Sequence, residues 1–378
     1  MKGKIKGRPD FLLLFLTVLL VCFGLAMVFS ASSSIVTFKH ESPWYYALRQ
    51  SIFAFAGLVI MLFFMSIPFP MWKKVAPFLL LMSLLLLVLV LIGGVNINGA
   101  KRWFFVGGFT FQPAEFTKLS LIVYLSALIS KKGERIRDFK KGVLPLLVMV
   151  GFILLLIMMQ PDFGTVLILF FISSTIIVIG GIDLRHLFML SLGLVPIFIY
   201  LAFSKSYRLQ RISSFLNPFD DQSGSGYQLI QSFYALAHGG FTGTGFGRSV
   251  QKLFYLPEAH TDFIFAVIGE EFGFVGTSLL VFVFFLFLWR GFTAAIRSND
   301  PFGVMLGMGI VTMIFIQFLL NLGAVTGSLP ITGVPLPFIS YGGSSLILCM
   351  ASTGILLSIS RDNNRRWQER NNNSQEMK

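Results

Sequence analysis

Lys252-Leu-Phe-Tyr-Leu-Pro-Glu-Ala-His-Thr-Asp262-Phe-Ile-Phe-Ala-Val-Ile-Gly-Glu-Glu271 sets a polar, proline-marked run directly against an almost unbroken apolar one. The polar part ends at Asp262, and the chain is then apolar until the paired acids Glu270 and Glu271. A change of this kind is expected where a helix enters hydrocarbon, because unpaired polar groups are too costly inside it. It places one carboxylate at a membrane–water boundary, at the mouth of a helix, with two more acids further in. Acids at membrane depth are expensive and mark function by default.

The rest of the chain agrees with that boundary. Of 378 residues, 55% are hydrophobic and only 12% are charged. A soluble protein of this length cannot hide so much apolar surface, and several stretches exceed the roughly 18 uncharged residues that mark a span. The stretches are continuous and do not alternate, which excludes a β-barrel. Cys22 and Cys349 both fall inside apolar segments, so they read as packing residues and not as a disulfide. The fold class is therefore an all-α polytopic membrane protein.

Ten transmembrane helices are expected, near 11–29, 47–67, 75–92, 114–130, 143–159, 164–180, 186–203, 263–289, 303–325 and 345–359. A full span needs about 20 residues, so the sixth and tenth should lengthen into flanking sequence or sit inside the bundle. The basic run Met1–Asp10 precedes an apolar stretch that is long for a signal peptide and reads as an uncleaved first helix. With the N-terminus inside, the inner segments hold more than twice as many Lys and Arg residues as the outer ones. Both termini are thus expected in the cytoplasm, with a large extracellular loop, 204–262, between helices 7 and 8. The net charge of +13 then reads as a topology signal and attraction to anionic membrane lipids, and nucleic acid is not an expected partner. Residues 1–360 form one ten-helix domain, and 361–378, rich in Asn, Arg and Gln, reads as a disordered cytoplasmic tail.

On this topology every unusual polar motif faces outward. Glu115 and Lys118 are three apart, share one face of the fourth helix, and follow Pro113 at its start. Lys118 either snorkels to the interface or, with Arg102 in the preceding loop, binds an anionic group such as a phosphate. Asp162 in the tight Gln160-Pro-Asp-Phe-Gly164 hairpin reads as the cap of the sixth helix. The outer loop carries Arg208 and Arg211, and then Tyr227–His238, an amphipathic helix expected to lie on the membrane. After it comes a Gly-rich run ending at Gly247, beside Arg248, which has none of the context of a nucleotide site. Glu258, His260 and Asp262 alternate; in an extended segment they would point to one side, a weak signal for a metal. Glu270 and Glu271 are too deep to pair with Asp262 and read as polar helix–helix contacts. No serine-hydrolase elbow or zincin motif is present. For Asp262 itself, helix capping and catalysis both remain open on the residues alone.

Four motifs carry a likeness. Phe111-Gln-Pro-Ala-Glu-Phe-Thr-Lys118, Gln160-Pro-Asp-Phe-Gly-Thr165, Tyr255-Leu-Pro-Glu-Ala-His-Thr-Asp-Phe-Ile-Phe265 and Pro337-Phe-Ile-Ser-Tyr-Gly-Gly-Ser-Ser345 resemble the SEDS family (shape, elongation, division, sporulation), in order and across all ten spans. The chain looks closer to the division and sporulation members than to the elongation member. The resemblance implies a peptidoglycan glycosyltransferase that polymerises lipid II on the outer face of the cytoplasmic membrane, at the septum. It also implies a class B penicillin-binding protein (a transpeptidase) as partner, alongside other divisome or elongation proteins. The aspartate that members need falls on Asp262, and their basic residues fall on Arg102 and Lys118. A family position that is often glutamate, eight residues before the aspartate, is Phe254 here, so no acid role carries over to it.

That chemistry needs a base near an acceptor hydroxyl and cations near a leaving pyrophosphate. Asp262 is the expected base. Arg102 and Lys118 are the expected pyrophosphate ligands, with Glu115, Arg208, Arg211, Arg248 and His260 as further substrate-binding candidates. A divalent cation, Mg or Mn, is an expected helper, since pyrophosphate often recruits one. Two other readings stand beside this one: a transporter that flips lipid II, and a non-catalytic scaffold for the transpeptidase.

Overall fold

The computed structural model describes residues 7–38, 42–97, 99–182, 213–221, 224, 226–253 and 255–376. Ten long helices run through them: α1 (Phe11–Phe38), α2 (Tyr45–Ser66), α3 (Met71–Gly93), α4 (Pro113–Lys132), α5 (Leu144–Met158), α6 (Phe163–Ile179), α7 (Tyr227–Gly239), α8 (Ile264–Ile296), α9 (Pro301–Val325) and α10 (Gly343–Glu376). Nine of these match expected spans, while the expected span at 186–203 lies outside the described residues. Among the described residues, seven helices are long and apolar enough to cross a membrane.

Helix starts follow the local chemistry. Pro113 opens α4 and Pro301 opens α9, positions where a missing N–H costs nothing. Asp300 caps α9 by accepting from Phe302 N at 2.9 Å. Asp162 caps α6 by accepting from Thr165 N at 3.2 Å, as its position in the hairpin suggests.

α9 forms the middle of the bundle, against α4, α6, α8 and α10, while α2 packs along α10 and α3 along α4. Phe55, Phe63, Leu81, Ile92, Leu279 and Phe285 point outward from α2, α3 and α8. Such a girdle would aggregate in water and is at home in hydrocarbon. α6, at 17 residues, is largely buried among its neighbours, which is how a short span is accommodated.

Three features depart from the sequence reading. The first is a small antiparallel sheet between α3 and α4: β1 (Val95–Ile97), β2 (Ala100–Val106) and β3 (Phe109–Phe111), paired through Val95 with Trp103 and Phe104 with Phe111. β1 and β3 are too short to display alternation, and β2, Ala-Lys-Arg-Trp-Phe-Phe-Val, does not alternate, so no strand is expected there.

The second is the C-terminal segment. It continues α10 as helix to Glu376 instead of forming a disordered tail. Asp362 accepts from Arg365 Nη2 at 2.6 Å and from Arg366 Nε at 2.7 Å, one turn on. Asn363 and Asn364 donate to the carbonyls of Ala294 and Arg8, each at 2.8 Å, which ties the segment to α8 and to the start of the chain. A composition argument does not see such tertiary anchors.

The third is an interruption in α8. Gly273 has φ 64° and ψ −163°, which no helix tolerates and which favours glycine. The Gly-rich run fills the break. Thr244 N donates to Glu270 O at 3.0 Å and Gly245 N to Glu271 O at 2.9 Å. Phe274 N donates to Gly240 O at 3.0 Å and Val275 N to Phe241 O at 3.1 Å. The helical groups orphaned by the break are thereby satisfied by backbone, and Asp262 stands at the head of a separate half-helix.

Candidate active site

The residues around Asp262 follow one another in turns and are not extended. Glu258 has φ 56° and its carboxylate accepts from Thr261 Oγ1 at 2.7 Å. The alternation of Glu258, His260 and Asp262 therefore does not place three ligands on one side. Among the described residues, no group of three His, Cys, Asp or Glu side chains could hold a metal ion.

Asp262 is half-buried at the end of this turn. The N-cap position of α8 belongs to Phe263, which provides no side-chain cap. The backbone around Asp262 is held by neighbouring elements. The Asp262 carbonyl accepts from Asn321 Nδ2 of α9 at 2.8 Å, and the same amide donates to Val334 O at 2.9 Å. Thr261 O accepts from Ser340 Oγ at 2.6 Å, and His260 O accepts from Tyr341 N at 2.9 Å. The imidazole of His260 packs against the rings of Tyr46 and Tyr341, with centroids at 4.7 and 5.7 Å, and those two rings also meet at 5.0 Å. One carboxylate oxygen of Asp262 borders Gly333, where an added Cβ would sit 3.5 Å from Oδ2.

The segment Gly333–Ser344 is thus the frame of the site. Gln50 of α2 fixes it from behind, donating to Ser340 O at 3.1 Å and accepting from Gly342 N at 3.3 Å. Burial pushes the Tyr341 phenol above its ordinary value of 10.0, while the nearby Arg49 guanidinium pulls it back.

The same frame reaches the second cluster of expected residues. Ser344 Oγ accepts from Gln112 N at 3.3 Å and donates to Thr110 O at 3.2 Å. Gln112 in turn donates to Asp162 at 3.1 Å. Next to it, Arg102 donates to the carbonyls of Gln160 and Pro161, so β2 is clamped onto the α5–α6 hairpin. Lys118 and Glu115, one turn into α4, are both buried and joined at 2.7 Å. The snorkelling alternative for Lys118 is excluded by this burial. The other oxygen of Glu115 has no hydrogen-bond partner. Gln317, whose carbonyl oxygen accepts from the Cys349 thiol at 3.8 Å, stands one helical turn before Asn321 on α9. Gln317 and Asn321 thus set two buried amides one turn apart on α9, the second of them holding the backbone of Asp262.

Of the remaining expected residues, Arg248 is exposed in the loop between α7 and α8, and Arg208 and Arg211 lie outside the described residues. Tyr227–Gly239 is a helix, but it packs on α8 and α9, with Ser232 Oγ bonded to Val325 O at 2.7 Å. Sequence reasoning did not assign roles to Gln50 and Asn321. The available signal was two amides inside otherwise apolar spans. A cavity of about 270 Å³ lies at the opposite end of the bundle, between Asp10, Arg290, Arg297 and Asn363, far along α8 from Asp262.

A helical bundle with an acid at the head of a broken helix, and a buried lysine–glutamate pair behind it, defines a multi-pass membrane protein of the SEDS type. The chain belongs to the family of FtsW, RodA and SpoVE cell cycle proteins, whose model matches residues 10–365. It is similar to stage V sporulation protein E of Bacillus subtilis, at 43% identity over 94% of this chain and 98% of that protein. It is also similar to the probable peptidoglycan glycosyltransferase FtsW of Trichlorobacter lovleyi, at 45% identity over 93% of each. Among solved structures, a chain from a peptidoglycan synthase complex described as coordinating polymerization and crosslinking superposes with TM-score 0.77. The two are 30% identical, over 94% of this chain and 98% of that one. The rod shape determining protein RodA of Thermus thermophilus gives TM-score 0.69 at 28% identity, over 94% and 97%.

Proposed function

We propose that this chain is a peptidoglycan glycosyltransferase that joins lipid II units into glycan strands, with Asp262 as general base. The observation that carries the reading is the placement of Asp262: a half-buried carboxylate at the head of α8, with the backbone of residues 260–262 fixed by Tyr341, Ser340 and Asn321. Fixing the main chain of a reacting group removes orientational freedom before substrate arrives. Membership of a family whose FtsW members are named peptidoglycan glycosyltransferases supports the same reading.

In the proposed step the carboxylate accepts the proton of the acceptor sugar 4-hydroxyl. That oxygen forms the new bond to the donor sugar's anomeric carbon, and the bond to the lipid-linked pyrophosphate breaks. The leaving group takes both electrons and needs positive charge. Lys118 and Arg102 supply it by exchanging Glu115 and the hairpin carbonyls for phosphate oxygens. Arg248, with Arg208 and Arg211, draws the anion to the outer surface, and His260 borders the acceptor. Among the described residues, no group of three His, Cys, Asp or Glu side chains would hold a resident cation. Any Mg or Mn would arrive with the pyrophosphate.

The proposed setting has ten spans, both termini in the cytoplasm and the 204–262 loop outside, at the division or sporulation septum. A class B penicillin-binding protein is the proposed crosslinking partner. The test is polymer formation from lipid II by the purified chain with its transpeptidase, with and without chelator. Asp262→Ala should make no glycan, and polymer from that variant would return Asp262 to a structural role. Flipping that survives in the variant while polymerisation is lost would make transport an additional activity at most.

A further inference from the structure

The half-helix that presents Asp262 is fastened at its other end by two adjacent glutamates. Glu271 accepts from Lys252 Nζ at 2.8 Å and from Ser30 Oγ of α1 at 2.6 Å, and Lys252 Nζ also reaches Ser30 Oγ at 2.9 Å. The side chains of Lys252 and Glu271 are 3% and 0% exposed. Glu270 takes hold of the same loop a few residues earlier. It accepts from Val250 N at 2.9 Å, from Gln251 N at 3.2 Å and from Ser249 Oγ, and it faces His238 Nδ1 at 2.8 Å.

The chain leaves this latch at Lys252, buries Leu256 and Ala259 against the bundle, turns at Asp262, and returns down the half-helix to Glu271. Lys252 and residues 255–271 thus hold the ion pair at one end and Asp262 at the other, roughly 13 Å apart along the helix. Beyond the latch, the break at Gly273 disconnects the half-helix from the rest of α8. Its position is therefore not inherited from the long helix and must come from lateral contacts.

We infer that Lys252 and Glu271 are positioning residues: their buried pair with Ser30 sets where Asp262 stands relative to α1 and to the frame at Gly333–Ser344. A buried ion pair is poor evidence for stability, since two desolvated charges often do no better than apolar side chains of equal size. What it contributes is geometry, because a lone charge at this depth is strongly disfavoured and this arrangement pairs both. The inference rests on Asp262 as the base.

The test uses full-length protein with its transpeptidase on lipid II, comparing Lys252→Arg, Lys252→Met with Glu271→Met together, and Asp262→Ala. The double variant leaves no lone charge. It should melt close to the parent, with kcat lower by about tenfold or more and KM within about twofold. Lys252→Arg should keep most of the parental kcat. A double variant that melts and turns over like the parent overturns the inference. Independently of folding in that variant, Glu271→Gln should accelerate amide exchange across residues 256–264 and not in α9. Unchanged exchange there also overturns it. Polymer from Asp262→Ala would refute the base reading itself, whatever the latch variants do.

Discussion

Asn321 holds Asp262 by its main chain: the amide nitrogen of Asn321 lies 2.8 Å from the Asp262 carbonyl oxygen and, at the same time, 2.9 Å from that of Val334. One side chain from the central helix thereby joins the head of α8 to the loop that borders the carboxylate.

Asn321→Asp removes the donor, keeps the shape and sets a negative charge against two carbonyls. Loss of a buried hydrogen-bonded partner costs about 1–3 kcal/mol, so the melting temperature should fall by several degrees. Polymerisation should fall by at least about tenfold, since the base loses its fixed backbone. Thermal melting and lipid II turnover on the same preparation check both.

Gly333→Ala tests the space beside the base. At φ 71° a side chain strains the backbone by about 1–2 kcal/mol. The new methyl would stand 3.5 Å from Asp262 Oδ2, where an acceptor sugar is proposed to approach. Activity should drop more than the modest loss of stability explains, with the larger effect on KM.

Lys118 and Glu115 separate stability from function. Lys118→Met alone strands a buried carboxylate and should cost about 3–5 kcal/mol. Lys118→Met with Glu115→Leu should recover most of that stability and none of the polymerisation. Recovery of both would make the pair purely structural, and a denaturation series run beside the glycan assay decides.

Arg102→Lys should be no conservative change. The guanidinium spans two carbonyls, at Gln160 and Pro161, and a lysine ammonium cannot reproduce that fork. Activity should fall with little change in melting, because the clamp is only partly buried. Comparable turnover in Arg102→Lys and parent would remove Arg102 from the site.

Tyr341 gives a pH dependence. Its phenol is neutral in the fold and its ionisation is raised by burial, so the folded chain binds more protons than the unfolded one above pH 10.0. Its contribution is fully present below that pH and is lost as pH rises past it. Tyr341→Phe should flatten the alkaline limb of a melting-temperature profile.

Much of this was legible in the sequence. Hydropathy placed nine of the observed helices, because hydrocarbon enforces continuous apolar runs. Local spacing paired Glu115 with Lys118 and put Asp162 at a helix start, because three- and four-residue relations are properties of a helix itself. It also set an acid at the mouth of α8. Tertiary structure alone decided what surrounds that acid. Asn321 meets Asp262 across 59 residues, and Ser30 meets Glu271 across 241. The break at Gly273 became a feature only when the Gly-rich loop was packed into it, and the terminal helix only when Asn363 and Asn364 found carbonyls to hold. Such contacts depend on which helix faces lie together, and no local period of the chain carries that information.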